Sequence, residues 1–216
     1  MIKLFLKELK LDVKWPLYLF CLLGAMVLIP NYVIVVGMGY CIMQIFVYMQ
    51  TSQANLSQEF AATLPVKRGD IVASTTAVIV MFQTLTFAVG AVCAPLAKLI
   101  SPQGNVVGMD ANLAFFGFVL VCYAVFNAIF LPNYFKKGSN KYGLPLLLAL
   151  LGFVVTYGVF EALVQSLPTL HAMLDTYDEN FLWVRAIVLA VGIVVYVISN
   201  VLATKCAVKK FEKVSL

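Results

Sequence analysis

The uncharged stretch WPLYLFCLLGAMVLIPNYVIVVGMGYCIMQIFVYM, from Trp15 to Met49, decides how this chain folds. As one straight helix it would be about 50 Å long at 1.5 Å per residue, well beyond a hydrocarbon core of roughly 30 Å. It must therefore turn back as a hairpin. Pro30-Asn31 near its middle supplies the break, because proline lacks a backbone donor and pushes the preceding residue away from helical angles. The reading predicts spans over about 15–29 and 31–49. Both are short, so the first is expected to begin ahead of Trp15, with Lys14 reaching back to the membrane surface.

Upstream, MIKLFLKELKLDVK sets Lys3, Lys7, Lys10 and Lys14 at helical spacing, with Ile2, Phe5, Leu9 and Val13 on another side. Residues 1–14 read either as an amphipathic helix lying in the interface or as a basic flank orienting the first span. Both place them in the cytoplasm. The segment lacks the layout of a cleaved secretory signal, so the first span is expected to be retained. Downstream, a polar loop over 50–70 precedes an apolar run over about 71–96, where Gly90 and Pro95 are expected to end or kink the helix. Further runs cover about 111–131, 144–163 and 182–204, with the basic loop NYFKKGSNKYG after the first of these and a basic tail over 205–216.

Composition agrees with burial in lipid: 62% of the 216 residues are hydrophobic, 12% are charged and the mean hydropathy is +0.96, whereas a soluble domain carries about 25% charge. The net charge of +5 is spread between apolar runs instead of gathered on one face, which argues against a nucleic-acid partner. It follows topology. With six spans and both termini inside, 13 of the 15 Lys and Arg residues face the cytoplasm, as retained loops require. Only Lys98 and Arg185 fall outside, beside Asp110, Glu161, Asp175, Asp178 and Glu179. A single crossing by 15–49 would put the Lys-rich start and the Lys67-Arg68 loop on opposite sides. The expected fold is thus an all-α polytopic protein of the cytoplasmic membrane, an antiparallel bundle of six transmembrane helices. Cys21, Cys41, Cys93 and Cys122 lie in apolar runs and Cys206 in the tail, so no disulfide framework is expected.

The loop Asn55-Leu-Ser-Gln-Glu-Phe-Ala-Ala-Thr-Leu-Pro-Val-Lys-Arg-Gly-Asp-Ile-Val72 holds the most information. Asn55 with Gln58 resembles a capping box; a short helix would run to Thr63 and stop before Pro65. Leu56 and Phe60, one turn apart, would form an apolar patch beside Glu59, and Asp70 would cap the next span. Such a helix, rigidly joined to a membrane helix, is suited to receive force from a partner. An ordinary loop helix resting on the bilayer is the equal alternative on the residues alone.

The segment Thr63-Leu64-Pro65-Val66-Lys67-Arg68-Gly69-Asp70-Ile71-Val72, with Asn55 and Phe60 ahead of it, resembles the ATP-binding cassette (ABC) type-2 permease family, in its short six-span bacterial branch. Ser57 departs from a common Trp, and Thr75-Thr76 from a usual basic-aromatic pair. The resemblance implies a cytoplasmic coupling helix around Leu56–Thr63, with Asn55, Leu56, Glu59, Phe60, Thr63, Leu64, Pro65, Arg68 and Asp70 forming the surface that docks on a separate ATPase subunit. It further implies a second permease copy or homologue, export of amphipathic or antimicrobial peptides such as phenol-soluble modulins, and ATP with Mg held by the ATPase. No G-x-x-x-x-G-K-[ST] phosphate loop occurs here, so the chain is expected to be a transport subunit without enzymatic activity, cofactor or metal of its own.

Other constellations are weaker. Glu161 and Arg185 would form an outer gate or a structural pair. His171 and Asp175, at helical spacing, are a poor metal site. Phe115, Phe116, Phe118, Tyr123, Phe126 and Phe130 read as packing before they read as a substrate route, and Gln44, Gln83, Asn127 and Asn200 as interhelical hydrogen-bond partners. An ion-coupled transporter would need ionisable groups at mid-membrane depth, and an intramembrane enzyme a catalytic set; the spans carry neither. A membrane immunity protein that transports nothing is the remaining alternative.

Overall fold

The computed structural model describes residues 2–102, 104–137 and 141–214. Gly138, Ser139 and Asn140 of the basic loop and Ser215-Leu216 of the tail lie outside them. Every regular element among the described residues is helical: α1 (Ile2–Leu11), α2 (Pro16–Cys21) running on as a 3₁₀ segment (Leu22–Leu28), α3 (Val35–Gly39), α4 (Cys41–Ala54), α5 (Ser57–Thr63), α6 (Arg68–Ile100), α7 (Leu113–Lys137), α8 (Gly143–Ser166), α9 (Pro168–Leu174), a 3₁₀ turn (Glu179–Phe181) and α10 (Leu182–Phe211).

The uncharged stretch does reverse at Pro30-Asn31. The 3₁₀ segment ends at Leu28, Ile29 is extended at φ −78°, ψ 114°, as a residue before proline should be, and Asn31 takes the left-handed φ of 53° that Asn tolerates better than most residues. Beyond the turn, Tyr40 keeps helical angles between α3 and α4 and its amide still reaches the Val36 carbonyl at 3.1 Å. Val35 to Ala54 therefore forms a nearly continuous rod of about 30 Å.

Ahead of the turn the chain departs from the expected span. Instead of passing through Lys14 as one helix, it bends by 95° between Ile2–Leu11 and Pro16–Leu28, and the second piece narrows to 3₁₀ geometry. Close packing accompanies that narrowing. A Cβ on Gly24 would lie 2.3 Å from the Thr86 carbonyl oxygen of α6, and one on Gly37 would lie 2.8 Å from the Leu23 carbonyl oxygen. Backbones approach there as small residues allow in membrane bundles.

Four helices are long and apolar enough to cross a bilayer singly, Arg68–Ile100, Leu113–Lys136, Gly143–Ser166 and Glu179–Phe211, and the bent N-terminal pair makes up to five by length and composition. α6 outruns its expected bounds at both ends and continues through Gly90 and Pro95 to Ile100. Pro95 lies near the carboxyl end, where few downstream bonds depend on its geometry.

α7 is the centre, with 67% of its apolar window buried against 22% in α8 and 11% in α10. α10 crosses it at a glycine contact: a Cβ on Gly192 would lie 2.5 Å from the Gly117 carbonyl oxygen, and one on Gly117 would lie 2.7 Å from that of Val188. The α7 aromatics are packed inward, Phe126, Phe130 and Tyr134 stacking in series and Phe118 stacking on Phe160 of α8. Polar side chains meet between helices. Asn127 of α7 exchanges hydrogen bonds with Gln83 of α6 at 2.8 and 3.0 Å and donates to Asn200 of α10 at 2.9 Å; Tyr196 donates to Gln83, and Gln44 to the Cys21 sulfur at 3.4 Å. Asn127, Gln83, Asn200 and Tyr196 thus satisfy one another inside the bundle, as lipid requires, while the Gln44 Oε1 is buried without a partner.

Candidate functional site

One end of the bundle gathers α1, α5, the start of α6 and the carboxyl end of α10. α5 begins after a sharp turn: Leu56 adopts the left-handed φ of 50°, uncommon for a bulky residue. The expected capping box does not form. Leu56 stands at the N-cap position without a side-chain cap, while Asn55 donates to the Leu11 carbonyl at 3.0 Å and to Asp12 at 2.9 Å. Gln58 instead donates to the Tyr134 hydroxyl of α7 at 2.7 Å. Ser57, Gln58 and Ala61 form the buried side of α5. On the other side Phe60 and the flanking cap residues Leu56 and Leu64 are 53%, 55% and 37% exposed, an apolar stripe at i, i+4, i+8 that the chain covers only in part. Thr63 closes the helix by donating to the Phe60 carbonyl, and Pro65 follows in the turn.

α1 anchors this turn. Asp12 is fully buried, accepting from Asn55 and, at 2.6 Å, from the Ser57 hydroxyl. Lys7 donates to the Ser57 carbonyl at 2.9 Å. Glu8, also buried, accepts from Tyr48 of α4 at 2.5 Å and from Ser74 of α6 at 2.6 Å. Burial pushes the Glu8 carboxyl above its ordinary value, with the Ser74 and Tyr48 hydroxyls and nearby Lys7 drawing it part of the way back. Neither acid was singled out from the sequence. The available signal is two carboxylates four residues apart in an otherwise basic segment, Glu8 within α1 and Asp12 just past its end.

Arg68 turns inward. Its guanidinium donates to the carbonyls of Phe211, Glu212 and Val214 at 2.8, 3.2 and 2.6 Å and lies 5.6 Å from the Phe211 ring centroid. It thus closes the carboxyl end of α10, where orphan carbonyls and the negative end of the helix dipole favour a cation. Asp70 is not the cap of α6: Lys67 holds the N-cap position and Asp70 lies in the first turn, where its charge still meets the positive helix end. Glu59 occupies the first turn of α5.

At the opposite end the two expected partners lie apart in function. Arg185 is buried and donates to the carbonyls of Thr176, Asp178 and Phe181, so it ties down the 176–181 loop; no ion pair joins it to Glu161 among the described residues. Glu161 accepts from Gln165, which also donates to Asp175. Asp110 is buried, accepts from the Asn105 amide at 2.7 Å, and donates its own amide to Asp175; burial raises its carboxyl, the Asn105 amide lowers it, and Asp175 raises it further. His171 lies 3.6 Å from Asp175. Among the described residues no group of three or more His, Cys, Asp or Glu side chains is arranged to hold a metal.

Between α3–α4 and α8 runs an apolar groove of about 480 Å³, lined by Val36, Tyr40, Met43, Leu150, Phe153 and Tyr157 among others. A second, of about 480 Å³, opens between α1 and α5 and is lined by Lys7, Lys10, Leu11, Asn55, Ser57 and Phe60.

A family model described as "ABC-2 family transporter protein" matches residues 3–207. No curated protein and no solved structure matches the chain significantly.

Proposed function

The chain belongs to the ABC-2 family of transporter proteins, whose members normally work with an ABC ATPase subunit, and from that premise we propose that it is the membrane subunit of an ATP-driven exporter. It crosses the cytoplasmic membrane six times with both termini inside, counting Pro16–Leu28 and Val35–Ala54 as the first two crossings and α1 as an interfacial helix. The 13 inward Lys and Arg residues support this arrangement by the charge rule.

α5 is the coupling helix. The observation that carries this reading is its two-sidedness: Ser57 and Gln58 fix it to Asp12 at the end of α1 and to Tyr134 of α7, while Phe60 and the flanking Leu56 and Leu64 are partly exposed at the polar end of the bundle. A partner that covers the stripe gains its apolar area, roughly 25 cal/mol per Å², and can push the whole rigid turn. ATP and Mg belong to that partner, with two permease chains and two ATPases in the assembly. Arg68 serves the coupling surface indirectly, by joining the start of α6 to the end of α10. Amphipathic or antimicrobial peptides fit as substrates, the apolar groove between α3–α4 and α8 offering a wall for their hydrophobic side.

The test is co-purification with a candidate ABC ATPase subunit. Phe60→Asp and Leu56→Asp are expected to insert normally and to lose the ATPase, because a desolvated carboxylate in the apolar contact costs several kcal/mol. Wild-type recovery of the ATPase by both variants would remove α5 from the contact.

A further inference from the structure

Two buried carboxylates lie where the end of α1 meets α5 and α7, and their surroundings differ. Both Glu8 oxygens are engaged, one accepting from Tyr48 and the other from Ser74, and Lys7 acts on the same carboxylate electrostatically. Asp12 is only half engaged. Its Oδ1 accepts from Asn55 at 2.9 Å and from Ser57 at 2.6 Å, whereas its Oδ2 is buried and accepts from no group in the chain. Lys7 donates to the Ser57 carbonyl, and no lysine or arginine forms an ion pair with Asp12 among the described residues. Gln58, the residue after Ser57, repeats the pattern: its Nε2 donates to the Tyr134 hydroxyl at 2.7 Å, and its Oε1 is buried without a donor. Asp12 is 0% and Gln58 5% exposed, so bulk water does not serve either oxygen. The Tyr134 hydroxyl, bonded to Gln58, also lies within electrostatic range of Asp12 and Glu8. The two orphan oxygens therefore share one neighbourhood.

We infer that Asp12 Oδ2 and Gln58 Oε1 are ligands of an alkali-metal cation, sodium or potassium, held between the end of α1, α5 and α7. A buried acceptor left bare is costly, and a buried carboxylate oxygen more so. Two such acceptors in one place call for a single positive occupant. Hard cations take oxygen ligands, and both unengaged atoms are oxygens. One carboxylate oxygen and one neutral amide oxygen supply a single negative charge, which matches a monovalent ion. Calcium takes roughly six to eight oxygens, often from several carboxylates, and magnesium a near-ideal octahedron; the second acid, Glu8, has both oxygens committed to hydroxyls. The ion ties Asp12 to α5, and through the Gln58–Tyr134 bond it ties both to the central helix α7. This inference is independent of what α5 docks against.

The test melts the full chain in detergent in NaCl, in KCl and in N-methyl-D-glucamine chloride at equal ionic strength. The midpoint is expected to be higher in at least one alkali chloride than in the organic salt by about 2–4 °C, and the larger of the two shifts names the ion. Gln58→Leu and Asp12→Asn are expected to lose that difference, whatever their absolute midpoints, and Asp178→Asn at the opposite end to keep it. Gln58→Glu adds a second charge to the ligand set, so it is expected to keep or enlarge the difference. Equal wild-type midpoints in the three salts would overturn the inference, whether a water or a proton then serves the two oxygens. So would a difference that survives Gln58→Leu, the variant that decides the matter if Asp12→Asn does not fold. A Gln58→Glu chain destabilised equally in all three salts would show two carboxylates repelling each other with no cation between them, and would overturn it as well.

Discussion

Arg68 shows how far a single residue can depart from its motif. Read from the sequence, it belongs to a docking surface; in the fold it gathers three carbonyls at the end of α10 and stacks on Phe211. Nothing local announces a partner 143 or more positions away. Arg68→Ala is expected to cost about 1–3 kcal/mol, as lost charge-assisted bonds do, and to lower the thermal midpoint in detergent by about 3–10 °C; an unchanged midpoint would deny the strut. Glu8 offers a second check through pH. Its folded pKa is raised above 4.5, so the folded chain holds this proton more tightly than the unfolded chain. The stability it contributes is complete below its ordinary value and is lost as pH rises through the raised one. Glu8→Gln cannot ionise, so its midpoint should gain on wild type as pH rises above 4.5. A gap that does not change with pH would contradict the shift.

At the scale of elements, the long apolar runs were legible because lipid leaves a helix no alternative: α7, α8 and α10 contain the runs seen in the sequence, and the reversal at Pro30-Asn31 follows from proline chemistry. The narrowing of Leu22–Leu28 and the bend before Pro16 were not legible. They accompany the approach of Gly24 to Thr86 and the pull of Asp12 and Glu8 on α1, contacts between residues distant in sequence. The capping box failed for a related reason, since Asn55 and Gln58 found stronger partners on α1 and α7. Glycine contacts decide helix pairing in the same way. Gly192→Leu is expected to force α10 from α7 and cost about 1–3 kcal/mol or more, whereas Gly158→Ala, whose added Cβ meets nothing within 4 Å, should be neutral or stabilising by a few tenths of a kcal/mol up to about 1. Equal midpoints in a detergent melt would dissolve the distinction.

For the whole molecule, the two ends have opposite characters. One joins α1, α5, α6 and α10 through Asp12, Glu8 and Arg68; the other ties its loops through Asn105, Asp110, Asp175 and Arg185. Between them α7 holds a neutral polar contact, Gln83–Asn127–Asn200. That division suits a subunit moved from one end by a partner more than one driven by ions bound at its centre. The sequence carried the family in the Thr63–Val72 segment, but not the part played by α1, because buried acids in a basic helix read as incidental until their partners are known. The most direct measurement is photocrosslinking in cells from a benzophenone residue placed at Phe60 and, separately, at Val33 beside the Pro30-Asn31 turn. The account predicts an adduct with the ATPase from position 60 and none from position 33. An ATPase adduct from position 33, or none from position 60 in a chain that is inserted and expressed, would contradict it.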